Sequence, residues 1–153
     1  MLKQAAATMA IIVTLAMPSA AQDAGTIRMQ SAHDAATTLD RLEKIFAEKG
    51  ITVFARIDHA EGATKAGEDL RPTQLMLFGN PKLGTPLMQA NQEAGIALPM
   101  KALAWTDADG KTWLAVTDPA ALQKRFELDG VDEVIAKMTG AVTAMGKAAA
   151  AAQ

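Results

Sequence analysis

The chain has 153 residues, no cysteine, and 15 cationic against 17 acidic side chains, a net charge of −2. Lacking a basic field, it offers nothing to a nucleic acid. Lacking cysteine, it excludes disulfides, thiolate catalysis and a lipid-anchored lipoprotein. Its length suits one domain with a real core, and neither a linker nor an internal repeat divides it.

In chain order, the opening "MLKQAAATMAIIVTLAMPSAAQ" has the form of a secretory signal peptide: one cation at Lys3, an uncharged apolar run, then Pro18 and small residues. The expected cut follows Ala21. It would leave residues 22–153 as a single exported domain, periplasmic or secreted, with an alanine-rich C-terminal end and 14 cations against 17 acids. The apolar run, roughly 13 residues, is shorter than the ~20 that cross a bilayer, so no membrane association is expected after cleavage.

"GTIRMQS" alternates Ile27 and Met29 with polar residues and predicts a half-buried strand. Ser31 and Asp34 resemble a capping box. Ala35, Leu39, Leu42 and Phe46 recur at helical spacing, predicting a helix over 32–49 that stops at Gly50. "ITVFARID" returns to period two, placing Ile51, Val53, Ala55 and Ile57 on one face, and "TQLMLF" is a third strand. "HAEGATKAGEDLRP" between them predicts a short helical turn and a loop.

Thr85-Pro86 combines an N-cap hydroxyl with a proline at the first helical position, predicting a helix from there to near Gly95. "KALAWTDADGKTWLAVT" predicts a hairpin with Gly110 left-handed, Asp107 facing Lys111 and Trp105 facing Trp113. Asp118-Pro119 caps a short helix toward Phe126. From Val131 the series Ile135, Met138, Val142, Met145 and Ala149 predicts a long amphipathic C-terminal helix.

The order strand, helix, four strands, helix predicts an α+β domain on an antiparallel sheet of about five strands. Its hairpin is apolar on both faces: Leu103, Trp105 and Trp113 on one, Ala104, Leu114 and Val116 on the other. A sheet with one wet face does not read this way. The C-terminal helix should cover the second set, which leaves Leu103, Trp105 and Trp113 as candidates for a homodimer interface or a ligand surface.

Three segments carry a family resemblance: "TTLDRLEKIFAEKGITVFARIDH", "LRPTQLMLFGNPKLGTPLM" and "LPMKALAWTDADGKTWLAVTDP". Over about residues 36–126 the chain resembles the domain-of-unknown-function 302 family. The matching details are the Gly79-Asn80-Pro81 loop with Gly84-Thr85, the Asp58-His59 pair, and Leu98-Pro99 before Lys101. The resemblance implies a compact α+β fold with a TATA-binding-protein-like arrangement that often self-associates. It implies no settled biochemical function.

Gly79 to Gly84 has the spacing of a phosphate loop, but Thr85 stands where that motif needs lysine, so it is not a nucleoside-triphosphate site. A weaker anion site is expected from Asn80, Lys82 and Thr85 beside a helix N-terminus, with Lys101 and His59 as further ligand-binding candidates. "DADG" lacks the outer ligands of a calcium loop. Copper would require His33 or His59 to meet thioethers such as Met88 or Met100, in spacings that match no ligand pattern. Glu61, Glu68 and Asp69 lie in a polar loop, and no G-x-S-x-G elbow is present.

No catalytic set, metal site or cofactor follows from these residues. The leading expectation is a noncatalytic ligand-binding or interaction module that self-associates. An enzyme acting on a small anionic compound is the alternative, with periplasmic copper handling after it.

Overall fold

A computed structural model describes residues 25–152; the expected signal segment and cleavage point lie outside them. Five strands, β1 (Thr26–Ser31), β2 (Thr52–Asp58), β3 (Thr73–Gly79), β4 (Met100–Thr106) and β5 (Thr112–Thr117), form one antiparallel sheet in the order β1-β5-β4-β3-β2. The helices are α1 (Ala35–Glu48), α2 (His59–Lys65), α3 (Pro81–Ala90), α4 (Pro119–Phe126) and α5 (Asp132–Ala150), with a 3-10 turn over Gln92–Ile96. The expected α+β class, sheet and long C-terminal helix are all present.

Alternation in the strands separates the two faces. Met76 and Phe78, Ala102 and Ala104, and Leu114 and Val116 point toward α1 and α5 and are buried. From α1, Leu39, Leu42 and Phe46 complete this core; the rings of Phe46 and Phe78 lie 4.4 Å apart, centroid to centroid. Leu75, Leu77, Leu103, Trp105 and Trp113 occupy the opposite face and are half-buried, while Ile57 is 42% exposed.

The hairpin forms as its sequence predicts. Trp105 is the register partner of Trp113, and Asp107 N donates to Lys111 O at 2.8 Å. Gly110 has φ of 76°, the left-handed conformation that glycine adopts without a Cβ penalty.

Three local expectations are corrected. Helix α1 is capped by Asp34, whose Oδ1 accepts from Thr37 N at 2.7 Å, whereas Ser31 turns inward to hydrogen-bond Thr38. β2 changes register between Val53 and Ala55, so Ile51, Val53, Ala55 and Ile57 do not share one face: Val53 pairs with buried Phe78, while Ala55 and Ile57 pair with Leu77 and Leu75 on the other side. Finally, α3 begins at Pro81 and not at Thr85. Asn80-Pro81 is also a cap-and-proline pair and comes five residues earlier. Pro86 therefore falls inside the helix, where it removes one amide donor, and α3 ends at Ala90, before the 3-10 turn that carries Gly95.

Candidate functional site: a methionine-lined chamber under the Gly79 loop

The opening of α3 bounds a cavity of about 290 Å³ on the helix-covered side of the sheet. Ile51, Phe78 and Met100 contribute from the sheet side, and Met138, Ala141, Val142 and Met145 of α5 close the opposite wall. Gly79, Asn80, Pro81, Leu83, Gly84 and Thr85, with Met88, form one side, and Gly95, Leu98 and Pro99 another.

Two glycines lie close against the walls. A Cβ added at Gly79 would stand 3.4 Å from Phe54 Cε2, and one at Gly95 would stand 3.4 Å from Met88 Sδ, both at the near limit of ordinary contact. Phe54 sits at the register shift of β2 and is 53% exposed at the rim. The Leu98–Pro99 peptide is cis.

The lining is almost wholly apolar. Asn80 and Thr85 supply its polar side chains, and no charged residue is among the described residues that line it. Asn80 Oδ1 accepts from Lys82 N at 2.9 Å and so caps α3. Four thioethers, from Met88, Met100, Met138 and Met145, share the wall. The periodicity of Met138 and Met145 in α5 marks those two as core residues, and only the tertiary structure shows that all four border open volume.

The sequence-derived ligand candidates divide between several places. Asn80 and Thr85 line the chamber. Lys82 is exposed on α3 and does not line it. Lys101 directs its ammonium to the carbonyls of Ala97 and Pro99, at 3.3 and 3.1 Å. His59 is exposed at the start of α2, behind Asp58, whose carboxylate caps that helix through Glu61 N and accepts from Gln74 Nε2 at 2.8 Å. Those contacts hold the Asp58 carboxyl below the ordinary aspartate value, the Glu61 amide contributing most. Thus Asp58 serves the fold. Arg56 joins this edge to α1 through Asp40 and Glu43 and also donates to Gln74.

Histidine and methionine do not converge. His33 hydrogen-bonds the carbonyl of Ala151 at 2.9 Å, and neither histidine lines the chamber with Met88 and Met100. Among the described residues, no cluster of three or more His, Cys, Asp or Glu side chains is placed to hold a metal.

The tryptophan face is organised around two charges. Arg28 of β1 lies over both rings, its guanidinium carbon 4.8 Å from the centroid of Trp105 and 4.2 Å from that of Trp113. Asp107 accepts from the Trp113 indole at 2.6 Å and from the backbone amides of Asp109 and Lys111 at 2.9 Å each. The indole bond first, and then those amides, hold the Asp107 carboxyl below its ordinary value. Sequence periodicity identified the rings but gave no sign that Arg28 would shield them.

Over 125 residues the chain is 44% identical to a protein of Brucella suis biovar 1 (strain 1330) named fluoride-specific ion channel FluC 1, an alignment covering 79% of this chain and 49% of that protein. The same identity and share of this chain relate it to fluoride-specific ion channel FluC 2 of Brucella melitensis biotype 1 (strain ATCC 23456 / CCUG 17765 / NCTC 10094 / 16M), of which 46% is covered. The chain thus spans about half the length of these curated relatives. The crystal structure of an uncharacterized conserved protein DUF302 from Bacillus stearothermophilus superposes with a TM-score of 0.74 at 19% identity, covering 82% of this chain and 98% of that one. That likeness establishes the fold. Residues 27–145 match the family described as domain of unknown function DUF302, and with most of the chain inside that match, the protein belongs to the DUF302 family.

Proposed function

We propose that this protein is a noncatalytic ligand-binding module and that the chamber beneath the Gly79 loop is its binding site. The supporting observation is a preformed cavity of about 290 Å³ whose lining holds two polar side chains and no acid, base or charged nucleophile. Ligand sites are typically concave and largely apolar, with a few placed polar groups. Catalysis would in addition require groups able to move a proton or attack. Lys82, Lys101 and His59, on which an enzyme acting on an anion would depend, do not line the cavity.

The fluoride-channel name of the curated relatives does not pass directly to this domain. Conduction through a bilayer needs spanning helices or a closed barrel. No helix among the described residues is long and apolar enough to cross, and the five strands form an open sheet. In this reading the DUF302 portion accompanies a membrane protein in those relatives as a binding domain, and here it acts in the exported compartment.

The open sheet face supports a second role in self-association. Trp105, Trp113, Leu103 and Leu75 form a continuous half-buried apolar strip across three strands, which two-fold pairing would cover.

A thermal-shift screen of the chain against anions, metal ions and apolar compounds tests the binding reading. A ligand at 100 times its Kd adds about 2.7 kcal/mol to stability, a rise of several degrees. If no class raises the melting point, the chamber is only a packing defect.

A further inference from the structure

We infer that the chamber takes a flat, uncharged aromatic compound of about two fused rings carrying one hydrogen-bonding group. The inference rests on the chamber being the binding site and adds the class of ligand.

Size comes first. A dry apolar cavity of about 150 Å³ accepts benzene, and this one, about 290 Å³, is roughly twice as large. Charge comes next. A carboxylate, phosphate or ammonium entering this lining would lose its water and find no opposite charge, a heavy desolvation penalty. That consideration removes the small anions that Lys82 had suggested, and a fatty acid would enter only with its carboxylate left in water at the mouth.

The wall chemistry selects rings over chains. Thioethers are polarizable and favour contact with aromatic edges, and Met88, Met100, Met138 and Met145 surround the cavity. Phe54, 53% exposed at the rim, adds a ring face for offset stacking, while Phe78, buried against Phe46, closes the sheet side. Asn80 and Thr85 are the lining residues whose side chains can hydrogen-bond a single hydroxyl or carbonyl.

The experiment compares 2-naphthol, decanoate and silver(I) as probes, using calorimetric titration and thermal shift on the intact chain. 2-Naphthol should bind with micromolar affinity or better and raise the melting point, while decanoate and silver(I) should leave it unchanged. Ala141→Phe, which projects a ring from α5 into the cavity, should weaken 2-naphthol binding at least tenfold. Should that variant not fold, Thr85→Val serves instead, with an expected loss of several-fold for 2-naphthol and none for naphthalene. Equal or tighter binding of decanoate, or binding of silver(I) alone, would overturn the aromatic class while leaving a binding module in place. Failure of all three probes would overturn the class as well; the wider screen then decides whether the module reading falls with it.

Discussion

The helical layer over the sheet is solid in one half and hollow in the other. Beneath α1, Leu39, Leu42 and Phe46 fill the space to within 0–1% exposure. Between α3 and α5, Met88, Met138 and Met145, together with Gly79, Gly84 and Gly95, leave a cavity. Phe78 is the partition, stacking on Phe46 on one side and lining the chamber on the other. Branched and aromatic side chains with few rotamers close one half; flexible thioethers and residues without side chains keep the other open. The tighter packing thus lies away from the proposed binding site.

Mutation gives the most direct way to break this contrast. Phe46→Ala should destabilise by about 3–5 kcal/mol, because it empties a filled position, whereas Met138→Leu should cost under about 1.5 kcal/mol. Urea unfolding measures both, and similar losses would show that the two halves are packed alike.

If the open face pairs two copies as proposed, Trp105→Lys should leave a monomer with the far-UV spectrum unchanged, since a lysine there disrupts the apolar strip. Light scattering and tryptophan emission provide the check. A parent that is already monomeric, with water-exposed emission, would mean that Arg28 alone shields the rings.

Asn80→Ala should cost about 1 kcal/mol by removing the cap of α3, and should loosen the chamber rim enough to weaken 2-naphthol. Lys82→Ala, two residues on and outside the lining, should alter neither property. Paired titrations of the two variants would locate the site on the chamber or on the helix terminus.

The smallest effect concerns acid. Because the Asp107 carboxyl is held below its ordinary value, its contribution to stability is complete above the unfolded value of about 3.9. It is lost as pH falls through the lower folded-state value. Asp107→Asn should therefore flatten part of the decline in melting temperature below about pH 4, with little change at neutral pH. The caps Asp34 and Asp58, lowered in the same direction by amide hydrogen bonds, should retain their share of that decline.

Elements with a strong local signal were legible in the sequence. Leu39, Leu42 and Phe46 announce α1 by spacing, and the pair around Gly110 fixes the hairpin register to the residue. The start of α3 was not, because Asn80-Pro81 and Thr85-Pro86 send the same cap-and-proline signal and only packing of Leu83 and Leu87 chooses the earlier one. The β2 register shift leaves no mark in "ITVFARID", since it depends on what Phe78 and Leu77 present across the ladder. Of the proposed ligand residues, Asn80 and Thr85 belong to the chamber. Met138 and Met145 read as core in the sequence because a thioether facing a cavity and one filling a core have the same helical spacing, and Met88 and Met100, weighed there as copper ligands, border the same cavity without a histidine.

The two long walls of the chamber are not held equally. Arg41 of α1 donates to the carbonyls of Ala148, Ala149 and Ala151, Ala32 N donates to Ala150 O, and His33, the third residue to engage this terminus, hydrogen-bonds Ala151 O. Carbonyls that a helix end ordinarily leaves to water are thus tied to the neighbouring helix. Across the cavity, α3 buries Leu87 alone and lacks the amide hydrogen of Pro86. Local opening follows the less protected element, so guest exchange should proceed by an outward swing of α3 while α5 stays docked. Amide hydrogens of residues 83–90 would then exchange earlier than those of 138–149, and a bound guest would slow the first group far more than the second.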